Sequence, residues 1–195
     1  MIKSAKTFME YHDLELESAA GIEYILWSKG KELNEVAAKL DEYIRDTAEH
    51  MECMQLINEA ETKEEYFRLM RTPMDGNNRQ NLRKKILEHE DMMLPYIKEK
   101  AIRSGQDFFI ENALNFFLSC KTDCCDWILE EYRNIRSEYM KSMLCMVLGV
   151  RGDVTHIPFL QDEAMRFEFT YPSEEFEQGP LIGLAALLNR LEEKN

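Results

Sequence analysis

Three stretches of the sequence put reactive side chains at spacings that chemistry can use. The first is Asp46, His50 and Cys53, which fall at i−4, i and i+3 in a segment whose composition favours helix. On a helix they share one face, and a divalent metal ion takes such donors. A di-iron centre in a helical bundle needs a Glu-x-x-His pair from each of two helices, and no such pair is present. The face therefore reads as a half-exposed helix surface in a Met-rich segment, with no metal ligand and no cofactor assigned.

The second is Cys124-Cys125, adjacent at the start of an expected helix, where the N-terminal dipole lowers a thiol pKa. Asp123 and Asp126 flank the pair, and negative charge disfavours a thiolate. No His lies near in sequence to serve as base, so the pair reads as structural. His12-Asp13 and His89-Glu90-Asp91 read as helix-start residues rather than catalytic dyads. A Gly-rich phosphate loop, a nucleophile elbow and Cys/His finger spacing are all missing from the sequence. No catalytic residue is assigned, and the chain reads as a binding protein rather than an enzyme.

The third is FEFTYPSEEFEQ, residues 167–178, in which aromatic rings alternate with carboxylates. On one reading the rings cover the end of the core. On the other, Phe169, Tyr171 and Phe176 anchor a protein partner while Glu174 and Glu175 steer its basic surface.

The elements that must carry these residues are helices. Gly (8) and Pro (5) are scarce, Met (12) is plentiful, and 45% of the 195 residues are hydrophobic. A formal net charge of −13 disfavours nucleic acid and anionic membranes as partners. Arg83, Lys84 and Lys85 form a local exception, read as a solvated helix face beside Glu88 and Glu90. The start MIKSAKTFMEYHD has no apolar signal region, no stretch has the length of a membrane span, and five cysteines lack metal spacing. Together these point to a cytoplasmic protein, which also weakens Arg151-Gly152-Asp153 as an adhesion signal.

The C-terminal half carries a repeat. Ile110, Ala113, Leu114, Phe117 and Leu118 follow the spacing of an amphipathic helix, and Met140, Met143, Leu144, Val147 and Leu148 match them 30 residues later. Breaks follow at Ser119 with Thr122-Asp123, and at Gly149 with Gly152-Asp153; Trp127 then falls on Ile157. Residues 89–103 align without gaps to 152–166, so that Leu94-Pro95-Tyr96-Ile97 meets Ile157-Pro158-Phe159-Leu160. A last helix has Pro180 at or near its N1 position and Leu181, Leu184, Ala185 and Leu188 inward, with some ten extra residues before it. Upstream, helices are expected over about 14–29 and 32–59, the second with Val36, Leu40, Tyr43 and Ile44 inward. A third should open at the capping box Thr62-Lys63-Glu64-Glu65. Thr72-Pro73 and Asp75-Gly76-Asn77-Asn78 read as the main loop and boundary.

With Leu-Gly closing a first helix, Gly-Asp in the turn and Ile-Pro-x-Leu opening the second, residues 80–195 resemble HEAT-like helical repeats. The resemblance implies an all-α fold of antiparallel hairpins stacked as a short α-solenoid, with an additional N-terminal helical part. The expected division is 1–74 and 79–195, or one continuous domain. The expected function is a non-catalytic adaptor or regulator, of which an inhibitor or immunity protein facing a basic partner is one form. The alternatives are an enzyme or ligand-binder with a pocket on the concave face, and a self-associating homo-oligomer.

Overall fold

The computed structural model describes residues 1–11 and 48–192, and it is all-helical there, with no strand among the described residues. Ten α-helices follow in chain order: α1 Ile2–Tyr11, α2 Ala48–Glu59, α3 Lys63–Met70, α4 Gly76–Glu88, α5 Glu90–Arg103, α6 Asp107–Ser119, α7 Cys125–Glu131, α8 Glu138–Arg151, α9 Ile157–Thr170 and α10 Gln178–Glu192. Short 3₁₀ turns, Tyr132–Asn134 and Val154–His156, follow α7 and precede α9. None of these helices is long and apolar enough to cross a membrane. The helices expected over 14–29 and the first part of 32–59 lie outside the described residues, as do Asp46 and His12-Asp13.

The chain forms two compact units that part between Lys121 and Thr122. Among the described residues, the first holds 1–11 and 122–192, and the second holds 48–121.

In the first unit α8 is the central helix. Ten of its 14 residues are buried, and its main partner is α10, with α7 and α9 beside it. Such burial on all sides needs a neighbour that comes very close. Gly149, Gly179 and Gly183 provide it: a Cβ at Gly149 would overlap the Gly183 carbonyl, and one at Gly179 would overlap Ser142. Glycine lets two helix backbones touch where any side chain would hold them apart. Gly149 was expected to end its helix, but it lies inside α8, which runs on to Arg151 with Gly152 as C-cap. Arg190 reaches back from α10 and donates to the carbonyls of Gly149 and Gly152, placing positive charge on the α8 C-terminus. Asp153 accepts from Thr155 N–H at 2.9 Å and so caps the turn leading to α9, in whose first turn Pro158 sits. In α10, Pro180 falls third, within the first turn and so near the N1 position expected of it, and Ala185 is half-buried. Helix α1 lays Ala5 against this unit, contacting α9 and α10.

The second unit is built on end-caps and polar brackets. The Thr62 capping box is present in full: Thr62 Oγ1 accepts from Glu65 N–H, and the Glu65 carboxylate accepts from Thr62 N–H at 2.9 Å. Asp75-Gly76-Asn77-Asn78 is not the expected loop, because Asp75 caps α4 by accepting from Asn78 N–H at 2.9 Å. His89 alone links α4 to α5, with Glu90 and Asp91 in the first turn of α5. The fully buried Asn78 donates to the His50 carbonyl at 3.1 Å, tying α4 to α2. Asn112 donates to the Met70 carbonyl at 3.0 Å, tying α6 to α3.

Candidate protein-binding surface

Helix α9 turns Ile157, Leu160, Ala164 and Phe167 into the core of the first unit. At the complementary phase, Pro158, Asp162, Met165 and Phe169 face outward and are exposed. Phe169 is 76% exposed, more than any other large apolar side chain among the described residues, and Met165, one turn before it, is 37% exposed. Glu168 is an exposed neighbour in sequence, and Glu174 and Glu175 are exposed in the turn that follows.

The insert divides into two kinds of residue. Helix α9 extends to Thr170, so the first four of these residues are helical and only Tyr171 to Glu177 form the turn. Inside that turn the rings of Phe167, Tyr171 and Phe176 stand against one another, at centroid distances of 6.3 Å (Phe167–Tyr171), 5.8 Å (Phe167–Phe176) and 5.6 Å (Tyr171–Phe176). Ser142 Oγ of α8 donates to the Phe176 carbonyl at 2.7 Å, fixing the turn to the central helix. Glu175 has φ 53°, the left-handed region that a side chain resists, and a well-packed turn of this kind can hold a residue there. Tyr171 and Phe176 are thus half-buried packing residues, whereas Phe169 projects outward. Met165 lies before the insert and was not anticipated; its signal in the sequence is its i, i+4 spacing from Phe169, off the buried stripe.

A chain of polar contacts braces α9 from beneath. Lys141 donates to Glu138 at 2.8 Å, Arg166 bonds Glu138 at 2.9 Å and Glu163 at 2.8 Å, and Tyr132 O–H donates to Glu163 at 2.7 Å. The Tyr132 oxygen also meets Cys145 Sγ at 3.3 Å. Burial works against the Arg166 charge, but Glu163 and Glu138 hold its pKa above the ordinary value. Burial pushes the Tyr132 phenol and the Cys145 thiol upward, so neither ionises near neutral pH. The guanidinium of Arg166 also stacks over the Phe167 ring at 4.2 Å. This chain fixes the orientation of α9.

The other reactive stretches find structural partners. His50 is buried rather than half-exposed, its Nδ1 2.9 Å from Asp75 Oδ2. Burial alone would raise the Asp75 pKa, but the Asn78 N–H and His50 hold it below the usual value. Cys53 is half-buried, and desolvation with the nearby Asp75 charge raises its pKa. No group of three His, Cys, Asp or Glu that could hold a metal occurs among the described residues. Cys124 and Cys125 are buried; desolvation and the Asp123 carboxylate push the Cys125 thiol up to about 12.

No protein-family model, curated protein or solved structure matches the chain.

Proposed function

We propose that this protein is a non-catalytic adaptor or regulator that binds a protein with a basic surface through the outward face of α9. The single observation that carries the reading is Phe169, an aromatic ring left 76% exposed while its three aromatic neighbours are used in packing. Exposed aromatics anchor interfaces by entering a partner's pocket, and surrounding carboxylates raise the encounter rate with a basic surface. The described residues of this unit, 1–11 and 122–192, carry 14 Asp and Glu against eight Lys and Arg, which gives the steering field its sign. An inhibitor or immunity role is one form of this reading, supported by charge. The 30-residue offset that carries the α6 stripe onto the α8 stripe supports HEAT-like hairpins as the scaffold.

The test compares wild type with Phe169→Ala and Met165→Ala in a stoichiometric pull-down followed by calorimetry on the recovered partner. Truncating an anchor costs about 2 kcal/mol or more of binding, roughly thirtyfold in affinity. The melting temperature should hold within a few degrees, because Phe169 packs little. Undiminished binding by both variants would overturn the reading, as would a captured partner whose contact surface is acidic.

A further inference from the structure

The second unit carries a surface of opposite character. Gln80, Asn81, Arg83, Lys84, Leu87 and Glu88 recur at i, i+1, i+3, i+4, i+7 and i+8 along α4, on the face opposite its buried Leu82 and Ile86, and they line an open groove with Lys121. Lys121 arrives from the turn after α6, 33 residues beyond Glu88 in the sequence. Its place is fixed by a backbone bond: Lys121 N–H donates to Glu90 Oε2 at 2.8 Å, at the start of α5. That bond adds a third cation to a patch that the sequence alone reads as a solvated helix face.

The three cations are not engaged by neighbours. Lys85 pairs with Glu88 at 3.9 Å, Arg79 with Glu111 at 3.2 Å, and Lys63 and Lys100 lie over the Tyr96 ring at 5.1 and 4.7 Å. The side chains of Arg83, Lys84 and Lys121 make no ion pair, hydrogen bond or ring contact among the described residues. Within a chain of net charge −13, residues 62–121 hold 11 Lys and Arg against nine Asp and Glu. The groove lining holds three cations without side-chain partners against the single carboxylate of Glu88, which Lys85 pairs, with two amides and one apolar side chain. This net positive lining is complementary to an anion carrying an apolar group.

Shape and charge narrow the occupant. The groove is open, whereas a small-molecule site buries most of its ligand's surface. A nucleic-acid strand is charged along its whole length and would run from three cations onto an acidic protein. A short protein segment with two or three carboxylates around one apolar residue meets neither objection. We propose that the α4–Lys121 groove is a docking site for such an acidic segment, with the carboxylates on Arg83, Lys84 and Lys121 and the apolar side chain on Leu87. This site is independent of the α9 face and gives the chain two docking surfaces of opposite charge.

The test uses the full chain and a fluorescent synthetic peptide of four glutamates around a central leucine, followed by fluorescence anisotropy at low salt. Saturable binding is expected, weakening about tenfold or more in Lys84→Glu/Lys121→Glu and less in Lys84→Gln/Lys121→Gln. A peptide with glutamine in place of glutamate should not bind. Lys84 and Lys121 are exposed, so both variants should keep the wild-type melting temperature. Equal affinity for wild type and the charge-reversed variant would overturn the proposal. So would absence of saturable binding, or displacement of the peptide by pyrophosphate or a short oligonucleotide at equal charge concentration.

Discussion

The two units are made of the same kind of helix but are held together by different means. In the first, α8 and α10 meet backbone to backbone through Gly149, Gly179 and Gly183, with polar contacts at the ends of that contact, where Arg190 reaches the Gly149 and Gly152 carbonyls and Ser142 the Phe176 carbonyl. In the second, helix ends are tied by side chains that reach backbone groups, as Asn78 reaches His50 and Asn112 reaches Met70. Close packing gains dispersion and hydrophobic energy in proportion to area, and it fails when volume is added. A polar bracket gains less, but it fails when one partner is removed and the other is left buried and unpaired. The surfaces differ in parallel, with a strongly acidic first unit and a second unit whose cations gather on α3, α4 and α5.

The largest effect should come from adding volume to the glycine contact. Gly183→Leu places a branched side chain where even a Cβ would overlap the Cys145 carbonyl, and should destabilise the first unit by about 3 kcal/mol or more. Hydrogen exchange should show the loss in α8 and α10; a fall confined to the second unit would break the contrast.

Next is the bracket. Asn78→Ala removes the donor to the His50 carbonyl inside a fully buried site and should cost about 2 kcal/mol, with protection lost in α2 and α4. Equal loss in α8 would show that the two units do not respond separately.

The smallest effect concerns the α3 cap and depends on pH. Glu65 accepts from the N–H groups of Glu61 and Thr62 and from the Thr62 hydroxyl, which hold its pKa near 2 against an ordinary 4.5. A depressed carboxylate pKa contributes stability that is complete above about pH 4.5 and lost as pH falls toward 2. The difference in α3 protection between wild type and Glu65→Gln should therefore be widest near neutral pH and close by pH 2. A pH-independent difference would remove the carboxylate from the explanation.

Local signals were the legible ones. The all-helical class, the Thr62 capping box, and the phase of the α6 and α8 stripes each depend on residues within a few positions of one another. What escaped depends on distant partners. Gly149 looks like a helix terminator until Gly183, 34 residues on, is seen to need the space. Asp75-Gly76-Asn77-Asn78 has turn composition, yet the same asparagine and aspartate chemistry serves a helix start. Phe169, Tyr171 and Phe176 look alike in sequence. The end of α9 at Thr170 separates the ring that projects from the two that pack. Lys121 joins Arg83 and Lys84 from 37 residues beyond Lys84 in the sequence, its backbone N–H held by Glu90.

The buried thiols have a use beyond packing. Cys124, Cys125 and Cys145 lie within the first unit and Cys120 within the second, all shielded from solvent, with Cys53 half-covered in the second. A thiol reagent can modify the shielded four only when the surrounding structure opens, so each labelling rate is set by a local opening equilibrium. The natural sequence therefore carries its own chemical clocks for the two units. Mass spectrometry of the modified cysteines would time the opening of each unit in an unaltered chain, without any engineered reporter.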